Sequence, residues 1–222
     1  APASPYRVGL IPGPTSLWRE MKSYRNWIYI VTEGSGAGQG LQIVRMTNPE
    51  SPVLVGTYTT AFVRSHTIAV DTTRALLICN GTNNALGQLT GMRILSIANP
   101  EAPVELGWWP GGALPVAAEN YVHDCVAVGN TLYASSIYGR IERVFDFTSP
   151  GTLLPINSWT YAGAFSHSSW PSADGKTLYI ADETTAEPLK IFDISDVMSP
   201  VLMNGITSNP HAIVHNVHVL GN

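Results

Sequence analysis

One phrase recurs along this chain of 222 residues. It reads Ile191-Phe192-Asp193-Ile194-Ser195-Asp196-Val197-Met198-Ser199-Pro200-Val201-Leu202: a short apolar strand, a Ser-Asp turn, and a second strand led by proline. It stands earlier at Ile43–Leu54 and Ile94–Glu105, and in degenerate form at Val144–Pro150. Aligning Met46, Ile97, Phe147 and Ile194 gives spacings of 51, 50 and 47 residues. A unit of this length made of strands and turns cannot bury its apolar faces alone, whereas a ring of such units can. The expected fold is therefore all-β, a propeller of four-stranded antiparallel blades in one domain. The blades fall at about 15–62, 63–118, 119–163 and 164–212. Residues 5–14 match the fourth strand of a repeat without its blade. His215–Leu220 match a first strand, and Gly221-Asn222 echo the Gly129-Asn130 hairpin. Four full blades plus partial strands at both ends do not close a ring, and a propeller closes to remove its sheet edges; the favoured expectation is a piece of a six- or seven-bladed propeller, the alternative that the missing strands come from elsewhere.

Composition narrows the function. Charged residues make up 13% and the net charge is −4, so no basic patch is on offer to neutralise phosphates, and nucleic acid is not an expected partner. No apolar run is long enough for a membrane-spanning segment. Low charge, abundant Thr, Ser, Asn and Gly, and six Trp suit an extracellular or cell-surface protein. Asn80-Gly81-Thr82 is a glycosylation sequon. The start, Ala1–Pro5, suits either a processed end or an arbitrary cut. Cys79 and Cys125 lie in adjacent repeats and admit two readings, one disulfide or two buried thiols. Nothing in the sequence assigns an oligomeric state.

The repeat register aligns residues that are scattered in sequence. Placed on the first strands, His66, His123, His167 and His215 occupy one equivalent position, and Arg19 takes it in the first repeat. First strands line a propeller's channel, so equivalent positions form a ring. Converging neutral imidazoles suit a transition metal. The same ring suits proton transfer, or an anion held with Arg19. A structural alternative stands beside these, in which each histidine bonds a neighbouring blade and fixes the ring. Glu33, Asp182 and Glu183, at the ends of second strands, are candidate oxygen ligands or a base. Glu20 and Asp124 sit next to ring positions and are candidates to orient an imidazole. His211 and His218 read as ordinary surface or interblade residues. The loop Gly34-Ser35-Gly36-Ala37-Gly38 lacks the Lys-Ser/Thr and the helix of a phosphate loop, and no organic cofactor is expected.

Leu17-Trp18-Arg19-Glu20, Ser65-His66-Thr67-Ile68, His123-Asp124, Ser166–Trp170, Ala181-Asp182-Glu183 and His215-Asn216 occur in this order. With the repeated phrase, they make the chain resemble the LVIVD-repeat proteins, and among them the choice-of-anchor B group. The resemblance covers nearly the whole chain. It implies a propeller in a secreted or surface-anchored protein, and carries no activity with it. A more remote likeness is to the selenium-binding proteins, propellers with histidine-bound copper. The leading reading is a binding module with a divalent or transition metal ion (Zn, Cu, Fe or Ca) in its channel and an unknown ligand at the mouth. The alternatives are a metal-dependent hydrolase, lyase or oxidase using the same ring, and a metal-free structural or adhesive propeller.

Overall fold

The computed structural model describes residues 3–207 and 209–220. The expected features at Ala1-Pro2 and Gly221-Asn222 lie outside them. Among the described residues, sixteen strands form four sheets. Blade 1 holds β1 (Arg19–Tyr24), β2 (Trp27–Thr32), β3 (Leu41–Arg45) and β4 (Val53–Tyr58). Blade 2 holds β5 (Thr67–Asp71), β6 (Leu76–Asn83), β7 (Leu89–Ser96) and β8 (Val104–Trp109). Blade 3 holds β9 (Asp124–Val128), β10 (Thr131–Ser136), β11 (Ile141–Asp146) and β12 (Leu154–Trp159). Blade 4 holds β13 (Ser166–Pro171), β14 (Thr177–Asp182), β15 (Leu189–Asp193) and β16 (Val201–Ile206). Within each blade the strands run antiparallel in chain order. A single turn of 3-10 helix, Ala118–Asn120, interrupts the connection into blade 3.

The repeated phrase has a backbone reason. The aligned residues Met46, Ile97, Phe147 and Ile194 each donate their N–H to a carbonyl in the hairpin between the first two strands, at Asn26, Ala75, Asn130 and Lys176, over 2.7–2.8 Å. The next turn is closed the same way four times, by Ser51 to Asn48, Ala102 to Asn99, Thr152 to Ser149 and Ser199 to Asp196. Asn48, Asn99 and Asp196 add a side-chain bond to the N–H two residues on, which is what Asx residues do in turns. In every blade the register slips once between the third and fourth strands, a bulge that sharpens the twist.

Alternating side chains send the two faces of each sheet into different cores. Tyr29, Val31 and Ile43 pack on Ile68, Leu77 and Leu95 between blades 1 and 2. Ile78, Met92 and Ile94 pack on Val122, Leu132 and Phe145 between blades 2 and 3. Val126, Tyr133 and Val144 pack on Leu178, Ile180 and Phe192 between blades 3 and 4. The same alternation settles the cysteines. Cys79 faces the first of these cores and Cys125 the second, and both are buried free thiols.

Two expected strands are absent. Residues 5–14 form no ladder. Pro5, Pro12 and Pro14 lack donors, and the segment is held instead by Tyr6 on Glu50 (2.7 Å) and by Gln42 on the Pro12 carbonyl (2.8 Å). Residues 214–220 also form no strand. The hydroxyl of Ser168 donates to the His215 carbonyl (2.8 Å) and accepts from Val217 N–H (3.2 Å), so a side chain does what a neighbouring backbone would do in a ladder.

Candidate metal centre at the channel mouth

The first strands β1, β5, β9 and β13 pack side by side, and residues at their upper ends reach one cavity at the mouth. His66 and His123 each stand one residue ahead of a strand, with N–H bonds to Asn80 O (2.9 Å) and Ser135 O (2.8 Å). His167 sits at a register slip in β13. Cross-blade bonds then draw the four together. Thr67 Oγ1 donates to the His123 carbonyl, His123 Nδ1 bonds the His167 carbonyl at 3.1 Å, and Ser168 bonds the His215 carbonyl. The imidazoles form an arc, with ring centroids 4.1 Å apart from His66 to His123, 4.0 Å from His123 to His167, and 3.7 Å from His167 to His215.

Hydrogen bonding leaves ring nitrogens of these histidines without a protein partner. A carbonyl can only accept, so His123 carries its proton on Nδ1 and keeps the Nε2 lone pair. His66 donates from Nδ1 to Glu33 Oε1 at 2.7 Å, and its Nε2 is buried without a hydrogen-bond partner, as is His167 Nδ1. The Glu33–His66 bond is the carboxylate–histidine pairing that orients imidazoles at metal sites. Burial, then the neighbouring His66 and His167, push the His123 pKa down to about 2. Burial, then His215 and His66, push His167 down to about 3. Both therefore remain neutral donors in the physiological range. His123, His167 and Glu183 each bring one ligand atom within 4.8 Å of the others. His215 Nε2 lies 3.7 Å from Glu183 Oε1. The two imidazoles of the trio are buried and Glu183 is half-exposed, so the trio opens to solvent on its carboxylate side.

Several expected site residues lie elsewhere. Arg19 is not at the ring. Its guanidinium bonds Gln42 and borders an apolar groove with Leu10 and Met21. Trp18 takes the ring position, stacked on His66 at 4.9 Å and 14° and 6.0 Å from His215. Asn26 and Ala75 hold the same place in the two hairpins, so Glu20↔Val31 in blade 1 corresponds to Thr67↔Asn80 in blade 2; Arg19 keeps the backbone position of His66, while the Trp18 side chain, one residue ahead, lies at the mouth. Asp182 is fully buried behind the mouth, accepting from Tyr161 Oη (2.9 Å) and Phe165 N (2.7 Å). Glu20 bonds Lys22 and the Ile68 N–H, and Asp124 bonds the Cys125 N–H. Both belong to the channel below the ring and orient no imidazole. Burial, then the charge of Glu20, raise Asp124 to about 7. Tyr121 and Tyr138, which also line the mouth, sit on connections where the repeat register says nothing.

The LVIVD repeat matches residues 24–60 and 172–207, segments belonging to blades 1 and 4. No curated protein sequence matches the chain. Solved structures that share its fold include a protein from Lactobacillus plantarum, at 15% identity and a TM-score of 0.65, over 85% of this chain and 55% of that one. A functionally unknown protein from Desulfotomaculum acetoxidans aligns at 14% identity and a TM-score of 0.61, over 90% and 58%. The periplasmic gluconolactonase of Pseudomonas aeruginosa aligns at 14% identity and a TM-score of 0.61, over 81% and 53%. The chain spans little more than half the length of these structures, and likeness at this identity is likeness of fold. The chain is a β-propeller that carries LVIVD repeats.

Proposed function

We propose that this propeller is an extracellular or cell-surface binding module that holds a divalent transition metal at its channel mouth, in keeping with its likeness to the choice-of-anchor B group. The observation that carries this reading is the convergence of His123, His167 and Glu183, one ligand atom each, within 4.8 Å. Two neutral imidazoles and one carboxylate suit Zn, Cu or Fe. They do not suit Ca, which takes six to eight oxygens. His66 and His215 flank the trio and complete the donor-rich wall. Calorimetric titration of tag-free protein with Zn2+ tests the reading. About one ion per chain is expected, lost in the His123→Ala/His167→Ala double variant. Protein that takes up no metal removes it.

A second reading, a metal-dependent enzyme of hydrolase type, draws on the half-exposed position of Glu183. Two histidines and a glutamate with a free fourth position are a catalytic zinc set. In it, the protein would hold the ion through His123, His167 and Glu183, and the ion would act as a Lewis acid. His66, oriented by Glu33, would accept a proton at Nε2. Azide perturbing the visible spectrum of the Co2+-loaded protein is the expected sign of an open position. An unperturbed spectrum marks a closed site and favours the binding module alone.

A further inference from the structure

Two tyrosines outside the donor set stand over the same cavity, which measures about 270 Å3. Tyr138 leaves 61% of its surface in water. A single exposed aromatic needs no explanation, but this one is held in place. Its turn is closed by Arg140 N–H on Ile137 O at 3.1 Å, and Arg140 takes a φ of +54°, a conformation that costs a non-glycine residue energy and that clusters at functional sites. Gly139 presses on the backbone of Glu119, where a Cβ would stand 2.4 Å from the carbonyl oxygen. Arg143 ties the same segment down from β11, reaching Glu119 O and Asn120 Oδ1 at 3.2 Å each. Tyr121 is fixed by the opposite side of the mouth. It lies across Gly81, at φ +56°, where a Cβ would meet the phenol oxygen at 2.5 Å. The two tyrosine rings are 5.0 Å apart, and Tyr121 is 6.3 Å from both His66 and His123.

The mouth therefore presents a fixed aromatic wall beside a wall of imidazoles and carboxylates. A ligand that matches both has a face of C–H bonds for the ring quadrupole and a rim of groups that both donate and accept hydrogen bonds. The cavity volume suits one small ring. A divalent ion with a single carboxylate ligand keeps excess positive charge, which a carboxylate on the ligand would meet. We propose that the mouth binds a saccharide ring bearing a carboxylate, a uronic acid unit, with its C–H face on Tyr138 and its carboxylate toward His123, His167 and Glu183. The carboxylate half of this proposal rests on the metal reading above, while the ring half rests on the tyrosine clamp.

The test is calorimetric titration of the full chain, Zn2+-saturated and then metal-free, with galacturonate, glucuronate, galactose and glucose. Uronates are expected to bind the Zn2+ form more tightly than the neutral sugars, and Tyr138→Ala to weaken binding about tenfold, as loss of one aromatic platform implies. Tyr6→Ala, far from the mouth, serves as control and should bind as the parent does. No binding by any of the four sugars, or equal binding by Tyr138→Ala, overturns the proposal. Sugar binding that depends on Tyr138 in protein that takes up no Zn2+ removes the metal reading and the uronate preference with it, and leaves the saccharide site standing.

Discussion

Glu142 is a fully buried carboxyl that makes no ion pair among the described residues. Three serine hydroxyls serve it, Ser135 (2.9 Å) and Ser166 (2.7 Å) on one oxygen and Ser169 (2.5 Å) on the other. Two of these serines, Ser166 and Ser169, belong to β13, the strand that carries His167, so the carboxyl joins blades 3 and 4 behind the candidate trio His123, His167 and Glu183. Burial, only partly offset by the serines, raises its pKa from 4.5 to about 7. A raised carboxyl pKa means that the native state keeps a proton the unfolded chain has lost. Stability from this group is intact below pH 4.5 and falls as pH rises to about 7, reaching a penalty on the order of 2–3 kcal/mol. Glu142→Gln should gain stability relative to the parent across that window, measured by urea unfolding at a series of pH values. Parallel curves for the two proteins would sink this account. Neither the residue nor its role was legible in the sequence, because a glutamate in a strand reads as solvent-facing until the neighbouring blade covers it. Trp18 was missed for a different reason: it stands one residue ahead of the aligned position, before β1 begins, where the repeat register says nothing.

At the level of elements, the repeat places Gly56 and Gly107 at the same point of the fourth strand, yet their surroundings differ. A Cβ on Gly107 would stand 2.3 Å from the Gly151 carbonyl oxygen of blade 3, whereas a Cβ on Gly56 would meet nothing within 4 Å. Backbone cannot yield as a side chain does. Gly107→Ala should therefore destabilise by about 1–3 kcal/mol, while Gly56→Ala should stay within about 0.5 kcal/mol of the parent, both read from urea midpoints. Equal effects would show that blades 2 and 3 can part without cost. The strands of the blades were readable because strand alternation and turn residues are local signals; β2 and β4, for example, fall at Trp27–Thr32 and Val53–Tyr58. Residues 5–14 and 214–220 carry the same local pattern and still form no strand, since a strand exists only with a partner's backbone beside it.

For the whole molecule, the proposed metal would couple to the fold. An ion bound only by the native state stabilises it by about 2.7 kcal/mol at a hundredfold excess over its Kd. For a chain of this size that corresponds to a rise in Tm of about 5 °C or more. Zn2+ should produce this shift in the parent and not in the His123→Ala/His167→Ala variant, as followed by differential scanning calorimetry. A shift of the same size in both would place the ion elsewhere. The trio draws its residues from blades 3 and 4, with His66 supplied by blade 2 and His215 by the segment after blade 4, so no blade holds the site alone.

The sequence by itself determined the blade, because Met46, Ile97, Phe147 and Ile194 repeat one backbone bond whose turn residues are encoded within a dozen positions. It also brought His66, His123, His167 and His215 to one level, because that level follows from the repeat register. Only the tertiary structure decided what each side chain meets there. It gave the ring place to Trp18 instead of Arg19, turned Asp182 inward to Tyr161, spent Glu33 on His66, and set Tyr138 over the mouth. Those outcomes depend on how neighbouring blades twist and pack against one another, and contacts between residues about fifty apart or more leave no local trace in the chain.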